Sequence, residues 1–138
     1  MIDLSETLKK LNNELSRTNI GDFCIYHYSS RPSLLLVGSF DFSYYHNVEI
    51  AFNEVSFVIC PGGIFTVDHF RLATKDELQR LYEVSYGYND TPTICLEDTT
   101  FNTKFFIAAS EVNYSFQNVY YYKKESLAEN ERIADWVT

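Results

Sequence analysis

The side chains able to do chemistry are few and scattered. Cys24 and His27 stand in C-x-x-H spacing, which binds metal on a helix; here both fall in a stretch that reads as a strand. Strand positions three apart point to opposite faces, so a shared ion is disfavoured and a buried thiol beside a separate imidazole is the plainer reading. His46 and His69 lie near turns with Glu49 and Asp68 close in sequence, the ingredients of a His/His/carboxylate metal site if the chain folds back on itself. No spacing forces that approach, and a histidine hydrogen-bonded at a strand end is the alternative. Cys60 precedes Pro61-Gly62-Gly63, where backbone donors could be exposed to serve a thiol nucleophile, but its surroundings are acidic and oppose a thiolate. No G-x-S-x-G, H-E-x-x-H, P-loop or G-x-G-x-x-G sequence occurs. Glu97–Asp98 reads as a solvated loop rather than an acid/base couple.

The charge pattern says more. Between Arg31 and Arg71 no basic residue occurs, while Asp41, Glu49, Glu54 and Asp68 do; between Arg80 and Lys104 the same holds with Glu83, Asp90, Glu97 and Asp98. Tyr44, Tyr45, Tyr82, Tyr86 and Tyr88 sit in or beside these segments. Tyrosine gives contact area at low entropic cost, and carboxylates steer a basic partner. The partner-binding candidates are therefore Tyr44, Tyr45, Tyr86, Tyr88 and Asp90. The plainer reading is a solvated sheet rim.

The elements that must position these residues follow from periodicity. Leu4, Leu8, Leu11 and Leu15 form one stripe of an amphipathic helix, opened by Asp3 and Glu6 in capping-box spacing and expected to stop near Asn19–Gly21. Phe23 to Tyr28 and Leu34 to Phe40 read as strands. Val48, Ile50 and Phe52 alternate with polar residues, and so do Val55, Phe57 and Ile59, but the phase changes between the two sets. A two-residue turn at Asn53–Glu54 would put all six on one face of a hairpin. Pro61-Gly62-Gly63 ends pairing, and Phe70 to Ala73 reads as a short strand. Thr74 and Glu77 have capping-box spacing for a helix to about Tyr82, with Leu78 and Leu81 inward. Ser85 to Pro92 is a loop by composition. Thr93–Leu96, Lys104–Ala109 and Asn118–Lys123 are further strands, and Ser126 could cap a last helix docking Leu127, Ile133 and Trp136. The order predicts one α+β domain over 1–138: a mostly antiparallel sheet of about six strands, with an N-terminal helix, a central helix and a short C-terminal helix.

Composition sets the bounds. A chain of 138 residues buries roughly two-thirds of its unfolded surface, enough for a core. With 19 acidic against 11 basic residues the net charge is −8, which argues against nucleic acid and anionic membranes and for a basic partner. No apolar run approaches the roughly 20 residues that span a bilayer, and MIDLSETLKK lacks a signal-peptide pattern. Three dispersed cysteines fit a reducing cytoplasm rather than a disulfide framework.

The blocks YYHNVEIAFNEVSFVICP, FRLAT and YYYKKESLAENERIADWV resemble those of a family of small bacterial proteins, and the first is similar to a strand pair in immunity proteins of polymorphic toxin systems. The resemblance covers about half the chain. It implies a small, acidic, cytoplasmic, single-domain protein without enzymatic activity or cofactor. Such a protein would bind and block a cognate toxin by covering its basic active site. It carries over no catalytic residue. The competing expectation is a small-ligand- or metal-binding domain, with or without enzymatic activity, around Cys60, His46 and His69. A third is a homo-oligomer joined at open sheet edges.

Overall fold

The leucine stripe at the start of the chain folds as its spacing dictates. In the computed structural model, which describes residues 3–29, 33–84 and 91–138, α1 spans Leu4–Leu15. Asp3 caps it by accepting the Glu6 amide at 2.9 Å, one of the donors a helix start leaves unpaired. Leu8 and Leu11 are buried in the core, with Leu4 and Leu15 against its margin. The helix ends earlier than Asn19–Gly21. The Ser16 and Thr18 hydroxyls donate to the carbonyls of Asn13 and Leu15 and so satisfy the last turn from within.

The remaining elements are β1 Asp22–Tyr28, β2 Ser33–Ser39, β3 Tyr45–Asn53, β4 Phe57–Ile59, β5 Phe65–Thr66, β6 His69–Leu72, α2 Lys75–Tyr82, β7 Thr93–Asp98, β8 Thr103–Ala108, β9 Glu111–Tyr120 and β10 Glu131–Ile133. The α+β class and the antiparallel character are as expected. The strands, however, form two sheets rather than one of about six strands: a six-stranded sheet in the order β10-β9-β3-β2-β1-β5 and a four-stranded sheet in the order β4-β8-β7-β6. Among the described residues only β9 and β10 pair in parallel.

The core fills the space between the sheets. Phe23, Leu34, Leu36, Val48, Ile50 and Phe52 come from one sheet, Phe70, Ile94, Leu96 and Ile107 from the other. Phe23 meets Phe70 edge-to-face at 5.6 Å, and Phe65 meets Phe105 at 5.1 Å. α1 closes the side bounded by β6. The Asn12 side chain donates to the Phe70 carbonyl at 2.7 Å and accepts the Phe70 amide at 2.8 Å, serving a strand edge that has no neighbouring strand. At the far end of α1, the Tyr114 hydroxyl donates to Glu14.

Two expectations are corrected. The hairpin at Asn53–Glu54 does not form: β3 pairs with β2 and β9, whereas β4 pairs with β8 in the other sheet. The phase change is real but has a different cause. Glu54 takes a positive φ of 54°, and the chain there leaves one sheet for the other. Phe52 and Val55 both stay in the core through this crossing. Past it the phase is opposite to the hairpin's: Val58 and Cys60 pack against the core, while Ile59 is exposed.

The C-terminal helix does not form either. Residues around Glu131–Ile133 instead pair with Asn118–Tyr120, and Leu127 and Trp136 are exposed. The edge of β9 carries unpaired amides and carbonyls that a helix would leave unserved. Residues 130–134 take them up, the Asn118 amide donating to the Asn130 carbonyl at 3.0 Å and the Ala134 amide to the Tyr120 carbonyl at 2.9 Å.

The second helix agrees more closely. Both halves of the Thr74/Glu77 capping box are present, and Glu77 also holds Arg71 through two bonds of 2.7 and 2.9 Å. Yet α2 buries no residue: Leu78 and Leu81 are half-covered on the outside of the molecule. No helix among the described residues is long and apolar enough to cross a membrane.

Candidate functional site

The end of the six-stranded sheet where β3 begins and β9 finishes gathers a cluster of tyrosines. The turn leading into β3 is built by short polar side chains. The Ser39 hydroxyl donates to the Tyr45 carbonyl at 2.6 Å and accepts the Asp41 amide at 2.8 Å. The Asp41 carboxylate accepts the Ser43 amide at 2.9 Å, and its carbonyl accepts the amides of Tyr44 and Tyr45. The Tyr121 amide then bonds the Tyr44 carbonyl at 2.7 Å, which fastens the turn to the end of β9.

On this frame Tyr45 and Tyr120 are direct cross-strand partners with rings 6.0 Å apart. Tyr120 meets Tyr122 at 5.6 Å, and Tyr122 meets Tyr44 at 6.5 Å. Tyr44 is 57% exposed and Tyr122 44%. Together with Tyr45 and Ser43 they line a shallow depression open to solvent. The Lys124 ammonium lies 4.6 Å from the centre of the Tyr120 ring and pairs with Glu131 at 2.7 Å. The Ala128 amide, Lys124 and Tyr120 all donate to Glu131 and hold its carboxyl down at about 2.

Beside this rim lies a polar cluster that spacing does not predict. His46 and Glu49, three residues apart, meet at 2.8 Å. In a regular strand they would face opposite ways. The pairing with β9 slips between His46 and Val48, two residues of β3 stepping against three of β9, and the slip brings them together. Glu49 also accepts from Arg132 at 2.7 Å and from the Gln117 side chain at 3.0 Å, and Arg132 donates to the Gln117 side-chain amide oxygen. Burial alone would raise the Glu49 carboxyl, but its bonds to His46 and Arg132 outweigh that and leave it below the ordinary value.

An ionised Glu49 accepts only, so Nε2 of His46 donates to it, while Nδ1 shares a hydrogen bond of 2.7 Å with the Tyr121 hydroxyl. Burial pushes the Tyr121 pKa up and keeps the phenol protonated. The His46 ring lies between Tyr26 at 5.2 Å and Tyr121 at 5.6 Å. Tyr121 contacts Trp136 at 5.2 Å, and the Trp136 indole closes the circuit by donating to the Tyr26 hydroxyl at 2.8 Å. Three strands separate β1 from β10, so this last bond draws the C-terminal residues back across the sheet and over His46, which is 0% exposed. The Tyr–His–Glu chain thus fixes the tail in place; His46 has no access to a solute.

Of the sequence candidates, Tyr44 and Tyr45 stand together in the open depression. Tyr86, Tyr88 and Asp90 lie outside the described residues. Cys60, His46 and His69 occupy separate places: His46 in the buried cluster, Cys60 against the core after β4, and His69 exposed on β6 opposite Glu97. Burial raises the Cys60 thiol to about 12 and the Cys95 thiol to about 11, so both stay protonated. Cys24 is raised in the same way. Among the described residues no group of three or more His, Cys, Asp or Glu is placed to hold a metal ion.

The sequence reading missed Tyr120, Tyr122, Arg132 and Trp136 as members of the site, and it placed Glu49 beside His46 only as a metal ligand. A signal existed: Tyr44-Tyr45-His46 and Tyr120-Tyr121-Tyr122 are two aromatic runs, and pairing them antiparallel would have joined them. No protein-family model matches the chain, and no curated protein and no solved structure matches it significantly.

Proposed function

We propose that the chain is a protein-binding module without catalytic activity of its own, an immunity protein that neutralises a bacterial toxin. It acts by covering the toxin's basic active site. The observation that carries this reading is the exposed Tyr44–Tyr122 pair, set with Tyr45 on a hydrogen-bonded strand end in a chain of net charge −8. Large, half-buried tyrosines on a fixed frame are what interface hot spots are made of, since they lose little entropy on docking. The excess negative charge favours encounter with a basic surface and suppresses like-charged partners. The biological class is suggested by the resemblance read in the YYHNVEIAFNEVSFVICP block of the sequence alone.

A co-expression experiment tests it. The C-terminal domain of the protein encoded immediately upstream is produced in a bacterial host with or without this chain. Growth should be arrested by that domain alone, restored by the wild-type chain and not restored by Tyr44→Ala/Tyr122→Ala. A folded wild-type chain that gives no protection, or equal protection by the double variant, overturns the reading.

A further inference from the structure

The rings at this strand end stand steeply to one another: Tyr44 to Tyr122 at 87°, Tyr45 to Tyr120 at 72° and Tyr120 to Tyr122 at 69°. An edge-to-face pair engages one face of one ring and leaves the others free. Tyr44 and Tyr122 therefore form two nearly perpendicular walls of the depression that Tyr45 and Ser43 complete. Aromatic faces are electron-rich and attract cations, and steeply angled rings around a hollow are the arrangement used to hold one. The cluster already does so on one side, where the Lys124 ammonium lies 4.6 Å from the Tyr120 ring centre with its charge met by Glu131. On the open side no such ammonium is present among the described residues.

We infer that the Tyr44–Tyr45–Tyr122 depression is an aromatic cage for the guanidinium of an arginine side chain presented by a basic protein partner. Arginine fits better than lysine because its planar, weakly hydrated head stacks on rings at little desolvation cost. The net charge of −8 adds a long-range pull of the right sign. The inference deepens the docking reading and rests on it for the partner, but the cage's preference for a guanidinium can be measured alone.

The probe is N-acetyl-arginine N-methylamide, titrated against the whole chain while the tyrosine ring signals are followed by NMR. The citrulline analogue, neutral and nearly the same shape, is the comparison. The arginine compound should move the signals of Tyr44, Tyr45 and Tyr122 and bind about five- to tenfold more tightly than the citrulline compound. Tyr44→Leu/Tyr122→Leu keeps apolar bulk at two exposed positions, so its melting should match wild type while the arginine preference disappears. Equal response to the two compounds, movement of other rings only, or no movement at concentrations that leave the fold intact would overturn the cage. An arginine preference at these rings without protection against the toxin leaves the cage standing and removes the docking reading. Protection without an arginine preference does the reverse.

Discussion

Glu49 is the residue on which the buried cluster turns. It bonds His46, Arg132 and Gln117 at once, so Glu49→Ala strips the imidazole of its acceptor and the guanidinium of its counter-charge together. Loss of charge-assisted bonds of this kind costs about 2 kcal/mol, readable as a lower midpoint in urea with little change in slope. A midpoint equal to wild type would show that the cluster does not hold the tail. Glu77 gives a pH-dependent counterpart. Its bonds to Arg71 hold its carboxyl at about 2 in the folded protein against an ordinary 4.5. The stability from that depression is complete above pH 4.5 and is lost as pH falls toward 2. Glu77→Gln should therefore flatten the acid limb of the stability profile over that window; an unchanged limb would remove Arg71–Glu77 as its source. Tyr44 and Tyr45 were legible in the sequence because they form a run in a segment without positive charge. His46 and Glu49 were joined only as metal ligands; their direct hydrogen bond was not legible, because a three-residue separation on a strand means opposite faces unless the register slips. Nothing in the alternation of β3 marks the slip.

Among the elements, β2 and α1 carry the sharpest tests. A Cβ on Gly38 would come within 2.6 Å of the Phe23 ring and 2.8 Å of Ile20 and Val48. Gly38→Ala should cost about 1–3 kcal/mol through overpacking, seen as a lower melting temperature; a neutral result would mean the Phe23, Ile20 and Val48 side chains can give way there. Asn12→Ala removes both bonds to the Phe70 backbone and should cost about 2 kcal/mol. It should also speed amide exchange at Phe70, and unchanged exchange there would contradict the clasp between α1 and β6. Element by element, α1 and α2 were legible from leucine spacing and caps, since those signals are local. The hairpin was misread because a phase change marks equally well a tight turn and a step from one sheet to another. Only non-local pairing with β8 decides between them. The C-terminal segment was misread for a related reason: Ser126 and the spaced apolar residues favour a helix locally, but the bare edge of β9 favours a strand.

At the scale of the molecule, two sheets and a helix present one aromatic strand end on an acidic body. A net charge of −8 should make association with a basic partner fast at low ionic strength, slowing about tenfold or more toward physiological salt. Dissociation, set by the tyrosine contacts, should change far less. That division separates steering by the whole molecule from anchoring by the rim. The most direct measurement is the solution affinity of the upstream-encoded domain for wild type and for Tyr44→Ala/Tyr122→Ala, by titration calorimetry, with the melting of both proteins recorded alongside. The account predicts at least about thirtyfold weaker binding by the variant, the loss of one hot spot's worth of contact, with the melting temperature lowered only by the few degrees that the lost ring contacts account for. Wild-type affinity in the variant would contradict it.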